Sequence, residues 1–432
     1  MRVPTLLGRL LGAAAERATG GAGARKALAL CRALLSVRSE AAGTALARDV
    51  MQACLALGAG EREAFYDALA RDFSPEPERV GKAADAYRRD PSPATLIRLQ
   101  DAAEPPRQEL LRRLNMAPGG TAAIVELRRQ LLEGLRAHPE WAAIDSDLLH
   151  LLRSWFNRGF LVLERIDWRT SAMVLEKLIA YEAVHEIKGW PDLHRRLEAD
   201  RRCFAFFHPA LPDEPLIFIE VALARSMSSG VQPLLDVDAP VDDPGEARCA
   251  VFYSITNCQD GLRGISFGNF LIKQVAVELQ RELPQLRSFA TLSPLPGFRK
   301  WVERQHVTGI EALAQPGWQQ AKRSDPLPVL LQQLSAYYLL HAKQGSQPLD
   351  PVARFHLGNG ARLERINWLG DASDNGIARS AGLMVNYIYR LDEVERNHEL
   401  FVNENRVIAS REVEQLARES ALSAAAAAQA KA

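Results

Sequence analysis

The chain has 432 residues, and its 53 Lys and Arg are balanced by 53 Asp and Glu, so the formal net charge is zero. This length predicts two or three domains, and a hydrophobic content of 47% is enough for a buried core. A neutral chain is a poor candidate for nonspecific nucleic-acid binding, and because no apolar run reaches about 18 residues, no membrane span is expected.

The N-terminal segment is basic. Residues 1–25 are rich in Arg and Ala, with Glu16 as their only acidic residue, a composition also found in organelle transit peptides. The same usage of Ala and Arg continues along the whole chain, which favours a simple N-terminal extension of a bacterial cytoplasmic protein. The five cysteines are an odd number without a C-x-x-C pair, and this favours a reducing compartment over a disulfide framework.

Residues 26–155 predict an all-α helical bundle. Strand-forming runs are nearly absent, prolines separate the helical segments, and no polar cluster suggests chemistry. We therefore expect residues 1–157 to form a helical oligomerisation domain. The predicted helices are residues 26–35, 43–57, 62–71, 78–87, 93–102, 109–114, 120–138 and 142–156.

From residue 158 to residue 432 the pattern predicts an α/β domain. Short runs rich in β-branched and aromatic residues alternate with helical segments, an order typical of α/β proteins. The Ala-rich tail, residues 421–432, is expected to fray. The predicted strands are residues 160–166, 203–207, 216–223, 251–256, 288–292 and 382–390, and the predicted helices are residues 173–183, 190–199, 270–283 and further segments within 297–342.

A glycine-bearing turn joins the strand at residues 251–256 to the helix at residues 270–283. Glycines let the backbone approach an anion closely, and the free N–H groups of a first helical turn point at it, so such a turn can bind phosphate. Arg263 adds a positive charge. The spacing fits neither the P-loop nor the dinucleotide motif, but it resembles the Q/R-x-x-G-x-G/A pyrophosphate loop of GNAT acyltransferases. An ordinary surface turn is the alternative.

The same turn contains a G-x-S-x-G pattern, Gly264-Ile-Ser266-Phe-Gly268, which is the spacing of the nucleophile elbow in α/β-hydrolases. In an elbow the serine follows its strand directly. Here residues 257–263 separate Ser266 from the strand, and this disfavours a hydrolase.

Two further polar residues are candidates for chemistry. Ser293 lies between a predicted strand and Pro294, where its hydroxyl can bond a substrate or a buried histidine. His356 lies between apolar residues and a glycine-bearing turn. Each has a structural alternative, a strand-terminating serine and a core histidine. The sequence has neither an H-E-x-x-H motif nor a paired-cysteine motif, so no metal site is expected.

Taken together, these segments resemble the malonyl-CoA decarboxylase family over roughly residues 27–411. The matching stretches are Ala117-Pro-Gly-Gly-Thr121, Phe160-Leu-x-Leu-Glu-Arg165, Glu182-Ala-Val-His185, Phe252-Tyr-Ser-Ile, Gln259-x-Gly-Leu-x-Gly264, Gly268-x-Phe-Leu-Ile-Lys273, Glu278-Leu-Gln-Arg-Glu282, Leu292-Ser-Pro-Leu-Pro-Gly-Phe298, Arg365-Ile-Asn-Trp368 and Gly382-Leu-Met-x-Asn-Tyr387.

The resemblance implies a helical oligomerisation domain followed by a GNAT-like α/β catalytic domain with a mixed sheet. It implies a homo-oligomer, dimer or tetramer, that converts malonyl-CoA to acetyl-CoA and carbon dioxide without a metal or organic cofactor. The family's serine–histidine pair corresponds to Ser293 and His356, and further substrate contacts correspond to Asn367 and Tyr389. Its substrate loop corresponds to Arg263, Gly264, Ile265, Ser266, Phe267, Gly268 and Asn269.

Ser266 departs from the family pattern, which carries an acidic residue at this position, and this argues against Ser266 as a nucleophile. Loss of carbon dioxide leaves an enolate whose oxygen needs stabilisation and whose carbon needs a proton. His356 is the best candidate for the acid, because imidazole titrates near neutrality. Ser293 would either orient His356 or bind the departing carboxylate. The alternatives are a GNAT-fold acetyltransferase and a noncatalytic CoA-binding regulator.

Overall fold

The computed structural model describes residues 21–265 and 271–423, and these divide into two compact units. The first unit comprises residues 21–161, 208–212 and 259–265, and the second comprises residues 162–207, 213–258 and 271–423. Of the predicted N-terminal extension, residues 22–25 already belong to the first helix, and residues 1–20 lie outside the described residues. Residues 421–423 of the tail are helical, and the rest of the tail also lies outside.

The first unit is helical, as the sequence predicts. Apolar side chains recur at three- and four-residue spacing, for instance from Ala24 to Leu34 of the first helix, so that each helix buries one stripe. Pro77, Pro93 and Pro106 stand in the first turns of their helices, where a missing N–H costs nothing. The helices are α1 (Ala22–Ser36), α2 (Glu40–Leu55), α3 (Ala59–Asp72), α4 (Pro77–Arg89), α5 (Pro93–Ala103), α6 (Pro106–Asn115), α7 (Gly120–Gly134) and α8 (Ala142–Trp155).

The second unit contains a mixed sheet. Its strands are β1 (Val162–Ile166), β2 (Arg201–Phe207), β3 (Ile217–Ala224), β4 (Cys249–Asn257), β5 (Ser288–Thr291), β6 (Ser293–Pro294), β9 (Arg362–Asn367) and β10 (Met384–Tyr389), with a separate hairpin of β7 (Lys343–Gln344) and β8 (Gln347–Pro348). The strand order is β1-β2-β3-β4-β5-β10-β6, and β9 pairs with β10. The predicted fold class, a helical region followed by a GNAT-like domain with a mixed sheet, is confirmed.

The helices of the second unit lie between and after these strands in chain order. They are α9 (Ala172–Tyr181), α10 (Trp190–Arg196), α11 (Gln232–Leu235), α12 (Leu271–Glu282), α13 (Phe298–Val302), α14 (Pro326–His341), α15 (Pro351–Gly358), α16 (Asp374–Ser380), α17 (Val394–Glu404) and α18 (Arg411–Glu419). None of the described helices is both long and apolar enough to cross a membrane.

Strands β4 and β5 run parallel, with α12 lying between them in the chain. Their pairing extends only from Cys249 opposite Ser288 to Phe252 opposite Thr291. Beyond this point β4 continues to Asn257 paired with β3 but not with β5. On the other side of β4 the register with β3 shifts, which leaves Tyr253 as the extra residue of a β-bulge. The sheet is therefore open beside the last residues of β4.

Residues 355–371 contain the end of α15 and the whole of β9, neither of which is among the elements predicted from the sequence. Burial along β9 does not alternate from one residue to the next, so the period of two that reveals a strand is missing.

Candidate functional site

Ser293 and His356 meet in the second unit although 63 residues separate them in the chain. Ser293 begins β6, His356 lies near the end of α15, and Ser293 Oγ is 3.0 Å from His356 Nε2. Helix α15 begins with Pro351 after Asp350, whose Oδ1 accepts the N–H of Ala353 at 2.8 Å. This cap holds the start of the helix that carries His356.

The described contacts of the His356 imidazole are with neutral groups. Its Nδ1 lies 2.8 Å from Tyr389 Oη, and its ring stacks on Tyr387 with the centroids 4.6 Å apart. Burial lowers the pKa of His356 to about 3, because desolvation disfavours the charged form. The imidazole is therefore neutral near pH 7, and an anion placed beside it would raise that pKa.

Thr291 and Tyr387 belong to the same cluster, although sequence reasoning missed both. Ser293 Oγ donates to Thr291 Oγ1 at 2.9 Å, and the Tyr387 N–H donates to the same oxygen at 3.1 Å. A signal was available, because residues two apart along a strand point to the same face. Thr291 precedes Ser293 by two residues, and Tyr387 precedes Tyr389 by two.

A cavity of about 230 Å³ opens beside Ser293 and His356. It lies where β4 and β5 diverge after their parallel pairing, and the carboxyl ends of parallel strands are the usual ligand site of open α/β sheets. Most of its wall is apolar and a few polar groups converge on it, which is the composition of a small-molecule site. The wall includes Phe252, Ile255, Asn257, Leu292, Val352 and Phe355.

A buried carboxylate holds another part of this wall. Glu182 accepts hydrogen bonds from Ser254 Oγ at 2.8 and 2.9 Å and from Thr256 Oγ1 at 3.2 Å. It also accepts the N–H groups of Val184 at 2.7 Å and His185 at 2.8 Å. Val184 lines the cavity, so this network ties one wall of the cavity to β4.

The other two residues expected near substrate occupy different places. Tyr389 contacts His356 directly and is almost fully buried. Asn367, on β9, is also buried, and its Nδ2 donates to Asn386 Oδ1 at 2.8 Å. Asn367 is not among the described residues that line the cavity, so its contact with substrate stays a prediction.

The described part of the predicted substrate loop is a turn of the first unit. Arg263 is exposed, and its Nη2 lies 3.0 Å from Asp260 Oδ1. Gly264 has φ +81°, a left-handed conformation that favours glycine. The N–H of Ile265 donates to Leu262 O at 3.0 Å, so this amide is engaged within the turn. Four further predicted residues, Ser266, Phe267, Gly268 and Asn269, lie outside the described residues.

Helix α7 of the same unit packs closely against this turn. Arg128 Nη1 donates to Gly261 O at 2.7 Å, and Arg128 Nε donates to Asp145 Oδ1 at 2.8 Å. A Cβ at Gly261 would lie 2.0 Å from Val125 O, far inside contact distance. The turn therefore requires glycine at this position.

Metal-ligand side chains come together elsewhere in the first unit. Asp67, His138 and Glu140 have ligand atoms within 4.8 Å of one another. All three groups already have protein partners, since Trp141 Nε1 donates to Asp67 Oδ1 at 2.8 Å and His138 Nδ1 lies 3.0 Å from Glu140 Oε1. Neither Ser293 nor His356 is part of this group.

Comparisons with known proteins agree on one family. The sequence profile of the malonyl-CoA decarboxylase C-terminal domain matches residues 159–428, and that of the malonyl-CoA decarboxylase N-terminal domain matches residues 73–156. A relative from Anser anser anser named "Malonyl-CoA decarboxylase, mitochondrial" is 37% identical over 377 residues, which are 78% of this chain and 75% of the relative. A relative of the same name from Mus musculus is 36% identical over 353 residues, covering 73% and 72% of the two chains.

Solved structures give the same result. Malonyl-CoA decarboxylase from Rhodopseudomonas palustris has a TM-score of 0.88 and 50% identity, and the match covers 91% of this chain and 99% of that one. Malonyl-CoA decarboxylase from Agrobacterium vitis has a TM-score of 0.85 and 49% identity, with 90% and 99% covered.

Proposed function

Because this chain belongs to the malonyl-CoA decarboxylase family, we propose that it is a carboxy-lyase that converts malonyl-CoA to acetyl-CoA and carbon dioxide. The observation that carries the proposal, beyond family membership, is the buried contact of Ser293 Oγ with His356 Nε2 at the cavity. An imidazole and a hydroxyl at one end of a mainly apolar cavity suit the protonation of a carbanion beside a thioester.

The reaction needs one proton for each carbon dioxide released. Departure of carbon dioxide leaves an electron pair on the carbon next to the thioester carbonyl, and this pair delocalises onto the carbonyl oxygen as an enolate. His356 then protonates that carbon. The free imidazole is neutral, and the negative charge of the bound malonyl group raises its pKa, so His356 takes up the proton when substrate is bound.

Ser293 assists at the same place. Its hydroxyl either orients the imidazole of His356 or donates to the departing carboxylate, and both roles fit its position at the cavity. The thioester carbonyl accepts the electron pair itself, so we propose that the chemistry uses no metal or organic cofactor. Activity that survives treatment with a chelator would support this part of the proposal.

The coenzyme A phosphates are proposed to bind at the turn that contains Arg263. The support is that the side chain of Arg263 is 70% exposed and pairs with the equally exposed Asp260, an arrangement that holds little free energy and leaves the guanidinium available to an incoming diphosphate.

We further propose a homo-oligomer built through the helical unit and a cytoplasmic location. Support for the oligomer is that α5 exposes Leu96 and Ile97, whose exposed fractions are 39% and 56%. Support for the location is the Ala and Arg usage that continues beyond the basic N-terminal segment. The curated relatives are named mitochondrial, and microscopy of a fluorescent fusion in the source cell would decide between these compartments.

The test is release of carbon dioxide and acetyl-CoA from malonyl-CoA by the purified protein with no added acceptor. Turnover of acetyl-CoA that occurs only after an amine is added would favour an acetyltransferase instead. Binding of coenzyme A without turnover of any acyl thioester would indicate a regulator.

A further inference from the structure

Thr291 connects the Ser293–His356 pair to the backbone of the sheet. Its side chain is fully buried, and its Oγ1 receives the Ser293 hydroxyl at 2.9 Å and the Tyr387 N–H at 3.1 Å. Its carbonyl oxygen receives Asn386 Nδ2 at 2.7 Å. Both the side chain and the backbone of Thr291 are therefore held in place.

The donation of the Ser293 hydroxyl to Thr291 Oγ1 gives the direction of this chain of hydrogen bonds. A hydroxyl has one hydrogen and two acceptor lone pairs. Both lone pairs of Thr291 Oγ1 are filled, by the Tyr387 N–H and by Ser293. In the free protein the single hydrogen of Ser293 is used on Thr291, so toward His356 the oxygen of Ser293 accepts.

The same count determines the tautomer of His356. Because Ser293 accepts, Nε2 of His356 must carry the hydrogen across the 3.0 Å contact. A neutral imidazole has one N–H, so Nδ1 is an acceptor and Tyr389 Oη donates to it at 2.8 Å. From donor to acceptor, the hydrogen bonds thus run from Tyr389 to His356, from His356 to Ser293 and from Ser293 to Thr291.

We propose that Thr291 is a positioning residue that, by accepting the Ser293 hydroxyl, holds His356 in the tautomer with hydrogen on Nε2. Tyr389, Ser293 and Thr291 each carry a hydroxyl that can donate or accept, and Thr291 is the one held by the Tyr387 N–H and by Asn386. The Tyr387 N–H can only donate, and it occupies one lone pair of Thr291. The effect on catalysis rests on the proposed function, because it assumes that His356 and Ser293 act on malonyl-CoA, whereas the tautomer is a property of the free protein.

The tautomer is measured directly on the wild-type protein labelled with ¹⁵N-histidine. Ring-nitrogen shifts and their couplings to the ring protons distinguish the two tautomers, and the His356→Gln variant identifies the resonances of His356. At pH 7 we expect the hydrogen on Nε2. A hydrogen on Nδ1 would overturn the proposal, and this measurement requires neither activity nor a variant of Thr291.

The variants Thr291→Val and Thr291→Ser test the cause. Valine has nearly the same shape but no acceptor, so the Ser293 hydroxyl turns to Nε2 and the hydrogen of His356 moves to Nδ1. We expect kcat to fall about tenfold to a hundredfold, the range for one lost buried hydrogen-bond partner, with the KM for malonyl-CoA changed less than about threefold. Thr291→Ser keeps the oxygen and should restore the tautomer and most of kcat.

Two results would contradict this role. A Thr291→Val protein that loses stability but keeps the hydrogen on Nε2 would make Thr291 merely structural. In a Tyr389→Phe variant, which removes the donor to Nδ1, the hydrogen should stay on Nε2, and its movement to Nδ1 would show that Tyr389 and not Thr291 sets the tautomer. Tyr389→Phe keeps the test decisive if the valine variant does not fold. An inactive wild-type protein would overturn the proposed function instead and would leave the tautomer measurement unaffected.

Discussion

At the scale of single residues, the environment of His356 determines when this side chain can act as an acid. Its pKa is lowered to about 3 because it is buried among uncharged partners. An imidazole in this state has no spare proton near pH 7, and in the proposed mechanism the charge that favours its protonation arrives with the substrate. In that mechanism, specificity for a carboxylated acyl group and activation of the acid are two effects of one proposed contact.

Kinetics of the pair test this account. His356→Ala should lower kcat about 10²- to 10⁴-fold, the usual contribution of a general acid. Ser293→Ala should also lower kcat, and the double variant should be little worse than the poorer single one, because residues that serve one step are strongly non-additive. Steady-state assays with malonyl-CoA measure these values. Effects that multiply cleanly would indicate independent roles, and full activity of His356→Ala would make Tyr389 the next candidate for the proton donor.

The lowered pKa of His356 also affects stability. Between about pH 3 and 6.5 the unfolded histidine binds a proton that the folded one does not, so the free energy of unfolding rises with pH in this window. The contribution is fully present above about pH 6.5 and is lost as the pH falls toward 3. Relative to His356→Gln, the wild type should lose up to about 1.4 kcal/mol of unfolding free energy for each pH unit that the pH falls within this window.

Urea unfolding at steps from about pH 4.5 to 8 measures this difference. His194→Gln is the matched control, because the side chain of His194 is 62% exposed, and its profile should follow the wild type. Parallel profiles for His356→Gln and the wild type would contradict the prediction.

Arg263 should act on binding more than on chemistry. A contact with the coenzyme A diphosphate is present in the ground state and in the transition state alike, so Arg263→Ala should raise the KM for malonyl-CoA with a smaller effect on kcat. Arg281→Ala is a suitable control, since Arg281 is similarly exposed and forms an ion pair with Glu278 within its own helix. An unchanged KM for Arg263→Ala would place the phosphates elsewhere.

At the scale of elements, the short parallel pairing of β4 and β5 creates the cavity. The paired residues of the two strands end at Phe252 and Thr291, and the chain then continues through Leu292 into β6, which like β5 pairs with β10. Helix α15 brings His356, which is 63 residues farther along the chain, to Ser293. The Ser293–His356 pair therefore lies where β4 and β5 diverge.

The turn at residues 259–265 depends on glycine at position 261. Gly261→Ala would place a Cβ 2.0 Å from Val125 O, a backbone atom that cannot move aside cheaply. We expect the free energy of unfolding to fall by about 1–3 kcal/mol, the usual cost of overpacking. Gly81→Ala in α4 is the control, because no atom lies within 4 Å of the added Cβ, and there alanine should raise stability by up to about 1 kcal/mol. Urea denaturation compares the two, and equal stabilities would contradict the expectation.

At the scale of the whole molecule, the helical unit is proposed to build the oligomer. Light scattering of the full chain should give a mass of more than one subunit. Replacing Ile97 by Glu on α5 should lower that mass, because a buried charge without a partner is costly. Val402→Glu on α17, where the apolar side chain is 55% exposed, should leave it unchanged. A monomeric wild type would end the proposal, and an unaffected Ile97→Glu oligomer would place the interface on another surface.

Local pattern was sufficient for most of the architecture. The helices of the first unit follow from apolar residues at three- and four-residue spacing, and the strands at residues 203–207 and 251–256 follow from β-branched and aromatic runs. Resemblance to a family selected Ser293 and His356. From local features alone, they could equally be a strand-terminating serine and a core histidine. The predictions of helices and strands succeed because burial repeats with the period of the element that is buried.

The tertiary structure decided the rest. It assigned residues 259–265 to the helical unit, placed Asn367 against Asn386, and joined Thr291 to Tyr387 across a separation of 96 residues. Such contacts depend on strand order and register, and a residue's own neighbours in sequence do not encode which distant N–H will face it. The sequence by itself thus determined the elements and the residue types available for chemistry, whereas the register of the sheet decided which of these residues form hydrogen bonds with one another.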